Sequence, residues 1–450
     1  MACQQSPRAP LGPETPIGAG SRADFARHFL EGRKPAREWR TGLEVEFFGF
    51  TREGWERAEP DDLAEVISAY AAAESERVRE DGLAVGARAA AGELSLEPGG
   101  QFEFSSRPLR SLVTLDAELR GYLAWLAEAA AGRGLIFLGV GFDPLRTPEE
   151  QRWVMKRRYR IMRPYLRARG ARAWDMMCRT AAVQANLDYD SEADLARKFV
   201  AGNLLAPVAS AIFAHSPFRE GRLSGLKSER VATWLATDPD RCGVSPAALD
   251  GDFSLDRFLD YLLAVPMLFV RRGQEYLDFA GLPFGAYLTY ANGVRPIRQD
   301  FLDHLTTIFT EARLKQIIEL RSADGGGAEQ ALAVQAFWKG LLYHPPALDE
   351  ALRLAPRLDG RRFRALQANV ARDGLSARLD DLRVLTLAQA VMEISTTGLK
   401  AIAPDEVKYL APVEQLVLRE EICPADILIK NFTGSWHGDI GRAVEYLRVV

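Results

Sequence analysis

Gly42-Leu43-Glu44-Val45-Glu46-Phe47-Phe48-Gly49-Phe50 alternates acidic and apolar side chains over most of its length. On a strand, residues two apart share a face, so Glu44 and Glu46 point one way while Leu43, Val45 and Phe47 point the other. A second stretch, Gly92-Glu93-Leu94-Ser95-Leu96-Glu97-Pro98-Gly99-Gly100-Gln101-Phe102-Glu103-Phe104, holds two alternating runs about a Pro-Gly-Gly break. It reads as strand, tight turn, strand, with Glu93, Ser95 and Glu97 on one face of the first run and Gln101 and Glu103 on one face of the second. Thr180 to Asp188 puts Gln184, Asn186 and Asp188 together in the same way. Gln316 to Arg321 pairs Glu319 with Arg321 and closes on Ser322-Ala323-Asp324-Gly325-Gly326-Gly327.

Helical patterns surround these strands. Asp62 to Glu80 and Pro108 to Gly132 read as helices, the second by the spacing of Leu112, Leu115, Leu119, Tyr122, Leu123 and Leu126. Leu135 to Phe142 reads as a short apolar strand. Thr147-Pro148-Glu149-Glu150 carries a cap residue, Pro at the first helical position and Glu at the third, and is expected to open a helix. A further helix runs from Ser191 or Glu192 to about His215, and from about Ala328 to Val450 the pattern is almost wholly helical. Residues 1–23, rich in Pro, Gly and Ser, read as a loose tail before one domain spanning 24–450.

The chain has 450 residues, 57 basic and 61 acidic, for a formal net charge of -4. That balance argues against a protein that coats nucleic acid, which needs a basic excess to neutralise phosphates. No apolar run is long enough for a transmembrane helix. The four cysteines form no C-x-x-C pair, and the first residues lack a secretory core, so a cytoplasmic location is expected. No P-loop pattern and no H-E-x-x-H occurs, and the five histidines are dispersed.

Polar outer faces are the default for antiparallel sheets, and any one of these strands fits a solvated surface. Four together point elsewhere, to a polar sheet face that lines a cavity while helices cover the apolar face. Carboxylates sharing a cavity repel one another unless cations sit among them. Oxygen ligands suit Mg²⁺ or Mn²⁺ rather than zinc, and Mg²⁺ brings a nucleoside triphosphate into view, whose phosphates complete its octahedron. The basic stretch Met155-Lys156-Arg157-Arg158-Tyr159-Arg160, with Arg179 and Arg321 beside the strands, supplies candidate phosphate contacts or a solvated helix face.

The segments 42–50, 94–103, 175–188, 304–309 and 318–326, including Leu-Glu-Pro-Gly-Gly-Gln-Phe-Glu, resemble the plant and alphaproteobacterial class of glutamate-cysteine ligases. The resemblance implies an α+β fold like that of glutamine synthetase, with a curved, mainly antiparallel sheet forming a funnel backed by helices. It implies ATP- and Mg²⁺-dependent ligation of L-glutamate to L-cysteine through a γ-glutamyl phosphate, giving γ-glutamylcysteine for glutathione, with Mn²⁺ as an alternative metal. Ergothioneine as the destination, another amine as acceptor, and a non-catalytic relative stay as alternatives. By this resemblance Glu44, Glu46, Glu97, Glu103, Gln184 and Glu319 bind metal. Lys156, Arg158, Arg179 and Arg321 contact phosphate, with Lys156, Arg179 and Arg321 catalytic, and Arg230 binds a substrate carboxylate. In the first of these motifs two family positions differ, Val45 and Phe47 standing where His and Lys are usual, and alternation turns both away from the site. The acceptor pocket is expected from the loops 218–234 and 276–292, and a monomer or homodimer without nucleic-acid or membrane partners is expected.

Overall fold

The structure, a computed structural model, describes residues 12–70, 76–249, 253–289 and 293–450. Its main sheet has nine strands, every pair antiparallel: β1 Thr41–Thr51, β2 Glu76–Glu80, β3 Leu83–Ala89, β4 Gly92–Leu96, β5 Gln101–Ser106, β6 Leu135–Leu138, β7 Ala182–Leu187, β8 Ala312–Leu314 and β9 Ile318–Asp324. The order is β8-β9-β7-β1-β5-β4-β3-β2, with β6 paired to β1 off this path. The 11-residue β1 is central. One edge pairs with β5, and the other is shared by β7 over Thr41 to Val45 and β6 over Phe48 to Thr51.

Alternation decides what each face of β1 does. Leu43, Val45 and Phe47 are fully buried and join Phe102, Phe104, Val183 and Leu320 in the principal core, roofed by the helices Leu112–Ala131, Ala328–Leu342 and Val384–Ile402. On the opposite face Glu44 and Glu46 are followed by Phe48 and Phe50. Those two rings pack with Ile136, Leu138 and Val140 under the C-terminal helices Pro424–Thr433 and Ile440–Leu447 in a separate small core. One face of β1 is therefore polar where the cavity opens and apolar where the last helices close over it.

The α+β composition and the antiparallel sheet agree with expectation, but the funnel does not. The sheet is open, and its end strands β8 and β2 do not meet. The physical reason lies at those ends: β8 is three residues long, and the outer strand β2, Glu76-Arg77-Val78-Arg79-Glu80, is charged and largely exposed. Charged edge strands discourage further pairing.

Three local expectations are also corrected. The helix read over 62–80 ends at Tyr70, residues 71–75 lie outside the described residues, and Glu76–Glu80 is a strand instead. It turns into β3 at Asp81 and Gly82, both at positive φ (48° and 89°), the backbone of a two-residue hairpin. Thr147 caps only a 3₁₀ turn, Pro148–Glu150, since Gln151 is already extended. The helix read over 191–215 divides into Glu192–Leu204 and Ala206–Ile212 around Leu205, just before Pro207. Of the expected tail, residues 1–11 lie outside the description, whereas Pro16 bridges Ile297 and Ile17 is buried.

Candidate functional site

Strand register gathers the acidic groups. Glu46 faces Glu103 across the β1–β5 ladder, Glu44 faces Gln184 across β1–β7, and Asn186 faces Glu319 across β7–β9. Glu97 joins them from the β4–β5 turn. There the Gly100 N–H donates to Glu97 O (2.8 Å), the Glu97 N–H donates to Gln101 O (2.9 Å), and Gly100 has φ 72°. That is a type I turn closed by a left-handed residue, which glycine adopts without cost. Gly99 is needed for a different reason: a Cβ there would lie 2.4 Å from Cys178 Cα.

Glu44, Glu46, Glu97, Glu103 and Gln184 line a cavity of about 310 Å³. Asn186 Nδ2 donates to Glu44 at 2.9 Å, the Ala182 N–H to Glu46 at 3.0 Å, and Ser105 Oγ to Glu103 at 2.9 Å. These bonds do not offset the crowding. Burial first, and the Glu97 charge next, push the Glu46 carboxyl up; burial, then Glu44, Glu97 and Glu46, push Glu103 well up. Like charges directly opposite on a ladder are destabilising, and a buried carboxylate cluster responds by holding protons.

Basic groups border the acids in the same lining. Arg230 enters from the helix Glu229–Leu235, whose Ser228 cap accepts the Val231 N–H at 3.0 Å. Its Nη2 donates to Arg321 O at 2.6 Å. Arg321 sits at a bulge, because the β7–β9 register shifts between Leu320 and Ala323, while its own N–H continues the β8–β9 pairing to Glu311 O (3.0 Å). Bulges re-aim side chains, and Arg321 Nη1 reaches Gln184 Oε1 at 2.6 Å. Arg158, in the same lining, donates to Tyr159 Oη at 3.0 Å.

Three expected site residues stand outside the cavity lining. Glu319 is fully buried, accepts from Arg313 (2.5 Å) and Arg321, and forms an ion pair with Lys315. Although burial opposes it, those three cations hold its carboxyl well below the usual carboxylate range. Arg179, also fully buried, is paired with Asp175 at 2.9 Å, lies 3.6 Å from Glu220, and packs over Phe142. Lys156 is buried behind Tyr159, and desolvation lowers its pKa against the attraction of Glu97.

The sequence reading missed Arg313 and Lys315, which line the cavity and pin Glu319. The available signal was Ala312-Arg313-Leu314-Lys315, alternation too short to stand out as a strand. It also missed an apolar wall that includes Met162, Met176, Met177, Phe269 and Phe309. Of the two expected acceptor loops, the first contributes Arg230 and Trp234, while no described residue of 276–292 lines the cavity.

The donor set suits a hard divalent cation: several carboxylate oxygens and an amide oxygen on one wall, with charge in excess. Among the described residues no three His, Cys, Asp or Glu side chains already converge on one metal position. This is compatible with Mg²⁺, which commonly takes one or two carboxylates and completes its shell with water and phosphate.

Comparison with known proteins shows the family of this chain. The model of glutamate-cysteine ligase family 2 matches residues 40–446. The chloroplastic glutamate–cysteine ligase of Brassica juncea is 38% identical over 421 residues, covering 92% of this chain and 82% of that protein. Glutamate–cysteine ligase A, chloroplastic, of Oryza sativa subsp. indica is 36% identical over 432 residues, 95% of this chain and 88% of its own length. A crystal structure of glutamate–cysteine ligase from Francisella tularensis in complex with AMP shares the fold at TM-score 0.55 and 15% identity, covering 90% of this chain and 88% of that one. The curated relatives are chloroplastic, which overturns the expected cytoplasmic location. Scattered cysteines do not distinguish one reducing compartment from another.

Proposed function

The chain belongs to glutamate-cysteine ligase family 2, and from that premise we propose how its charged walls divide the reaction. It joins the γ-carboxylate of L-glutamate to the amine of L-cysteine in an ATP- and Mg²⁺-dependent reaction, giving γ-glutamylcysteine for glutathione biosynthesis. The observation that carries the division of labour is that Glu44, Glu46, Glu97 and Glu103 share one cavity with Arg230, Arg313, Lys315 and Arg321.

A carboxylate is a poor acyl donor, so glutamate needs activation by transfer of the ATP γ-phosphoryl group to its γ-carboxylate. The cysteine amine then attacks the acyl phosphate and expels phosphate. We assign Glu44, Glu46, Glu97, Glu103 and Gln184 to Mg²⁺. When bound, Mg²⁺ neutralises phosphate charge as the phosphoryl group moves. Arg321, anchored by Gln184 and Glu319, and Arg158 are assigned to the phosphate and the developing oxyanion, since planar guanidinium groups suit both. Arg230 is assigned to a substrate carboxylate. Glu319, the sixth expected ligand, serves chiefly to gather Arg313, Lys315 and Arg321, and it reaches a metal only by releasing one of them. Lys156 and Arg179 act from behind the lining, Lys156 through Tyr159 and Arg179 through the helix Ala173–Arg179 that carries Met176 and Met177. The apolar wall receives the acceptor side chain.

Residues 24–450 act as a single catalytic domain, a reading supported by a principal apolar core that runs from Ile17 to Ala425. The near balance of charge supports small-molecule partners rather than nucleic acid. Purified protein with ATP, Mg²⁺, glutamate and a panel of amines tests the function. Cysteine-dependent phosphate release, one phosphate per γ-glutamylcysteine, is the expected result. Phosphate release indifferent to cysteine contradicts it.

A further inference from the structure

Arg57 lies outside the cavity lining and belongs to neither charged wall, yet it is only 2% exposed. Phe48 and Phe50 extend the β1 face that bears Glu44 and Glu46, and their rings stand 5.1 and 5.0 Å from its guanidinium carbon. A charge this deep is costly unless it is paired and hydrogen-bonded. Its Nε is 3.8 Å from Asp143 Oδ2, and its Nη2 donates to the carbonyl of Gly99. Nε and Nη1 have no hydrogen-bond partner among the described residues.

Gly99 belongs to the turn that presents Glu97. With no side chain at Gly99 or Gly100, that turn is held largely through its backbone. The Gly99 N–H donates to Gln101 Oε1 (2.9 Å), Pro98 O accepts the Val154 N–H (2.8 Å), and Gly99 O accepts from Arg57. On the other side Gly99 presses against Cys178. Asp143 in turn accepts from Gln151 Nε2 (2.9 Å) and from the N–H groups of Leu145 and Arg146 (2.9 and 3.0 Å). One buried ion pair thus ties the Glu97 turn to the segment running on to Val154, Lys156 and Arg158.

We propose that Arg57 is a positioning residue for the divalent-metal site: by bonding Gly99 O between two phenyl rings it fixes the turn that aims Glu97, and so sets metal affinity without touching the metal. This rests on the assignment of Glu97 to the metal. Groups that orient a metal ligand typically change affinity about 10- to 100-fold when removed.

The full-length chain without nucleotide is titrated with Mn²⁺, and free Mn²⁺ is read by electron paramagnetic resonance, with thermal unfolding as the check on folding. Arg57→Met, which keeps the aliphatic bulk, should weaken Mn²⁺ binding by about tenfold or more. Arg57→Lys keeps the charge but cannot bond Gly99 while also facing Asp143, so it should weaken binding in the same direction, and it carries the test alone if Arg57→Met does not fold. Glu97→Gln should weaken binding too. The double variant Arg57→Met/Glu97→Gln should bind no more weakly than Glu97→Gln alone, because the arginine acts through that carboxylate. Wild-type Mn²⁺ affinity in the folded Arg57 variants, or additive losses in the double variant, overturns the proposal while leaving the Glu97 assignment intact. Wild-type affinity in Glu97→Gln overturns the assignment beneath it.

Discussion

Glu46 and Glu103 stand directly opposite one another in the sheet, and Glu97 adds a third carboxylate beside them. In water such a cluster is tolerable; buried, each charge penalises the next. That the pattern was legible at the residue scale follows from period-two alternation, which fixed the shared faces of Glu44 and Glu46 and turned Val45 and Phe47 into the core, where both are fully buried. Alternation could not say which opposite charge would reach which carboxylate. Glu319 shows this, because its environment comes from Arg313 on a neighbouring three-residue strand, from Lys315 just past its end and from Arg321 on its own strand. Removing one member of a buried charge cluster leaves the others uncompensated. Glu319→Gln is therefore expected to destabilise the protein by about 3 kcal/mol, measured by urea denaturation, with phosphate transfer falling at the same time. A variant as stable as the parent would show that the three cations need no such anchor.

At the scale of elements, the strands with chemistry were readable because each carries a polar face against an apolar one. Of the strands without it, Leu135–Leu138 was readable as an apolar run and Glu76–Glu80 was not. Glu76–Glu80 reads as a continuation of the preceding helix, since Glu and Arg favour helices, and only the Asp81-Gly82 pair marks the hairpin that makes it an edge strand. Thr147 shows the converse: a complete capping signal followed by a 3₁₀ turn alone, because the chain must extend at Gln151 to bring Val154 to the Glu97 turn. That turn is the element on which the site depends most. Gly99→Ala forces a Cβ to within 2.4 Å of Cys178 Cα, and backbone must move to relieve it. The expected result is a loss of about 2 kcal/mol of stability, with turnover reduced further than stability alone explains because Glu97 moves with the turn. Unaltered stability would mean that the turn and the helix Ala173–Arg179 slide apart freely.

For the whole molecule, the net charge of -4 conceals a separation of charge within one cavity, acids on β1, β5 and the β4–β5 turn, bases on and just past β8, on β9 and on the helix Glu229–Leu235. The antiparallel α+β architecture follows from the alternating strands and the helical patterns around them. The openness of the sheet does not, because it depends on how end strands twist and on what their outer edges expose, and neither is written in alternation. The charged acid wall is a cost to the folded chain that a divalent cation offsets, and binding to the folded state alone raises stability by mass action. The most direct measurement is the unfolding temperature at pH 8, with and without Mg²⁺, of the parent and of Glu103→Gln. The parent should gain stability with Mg²⁺. Glu103→Gln should start about 1 to 2 °C higher without Mg²⁺, having lost a carboxyl that the folded chain resists ionising, and should gain much less from it. A variant that starts lower than the parent, or responds to Mg²⁺ as fully as the parent does, would contradict the assignment of the acidic sheet face to the metal.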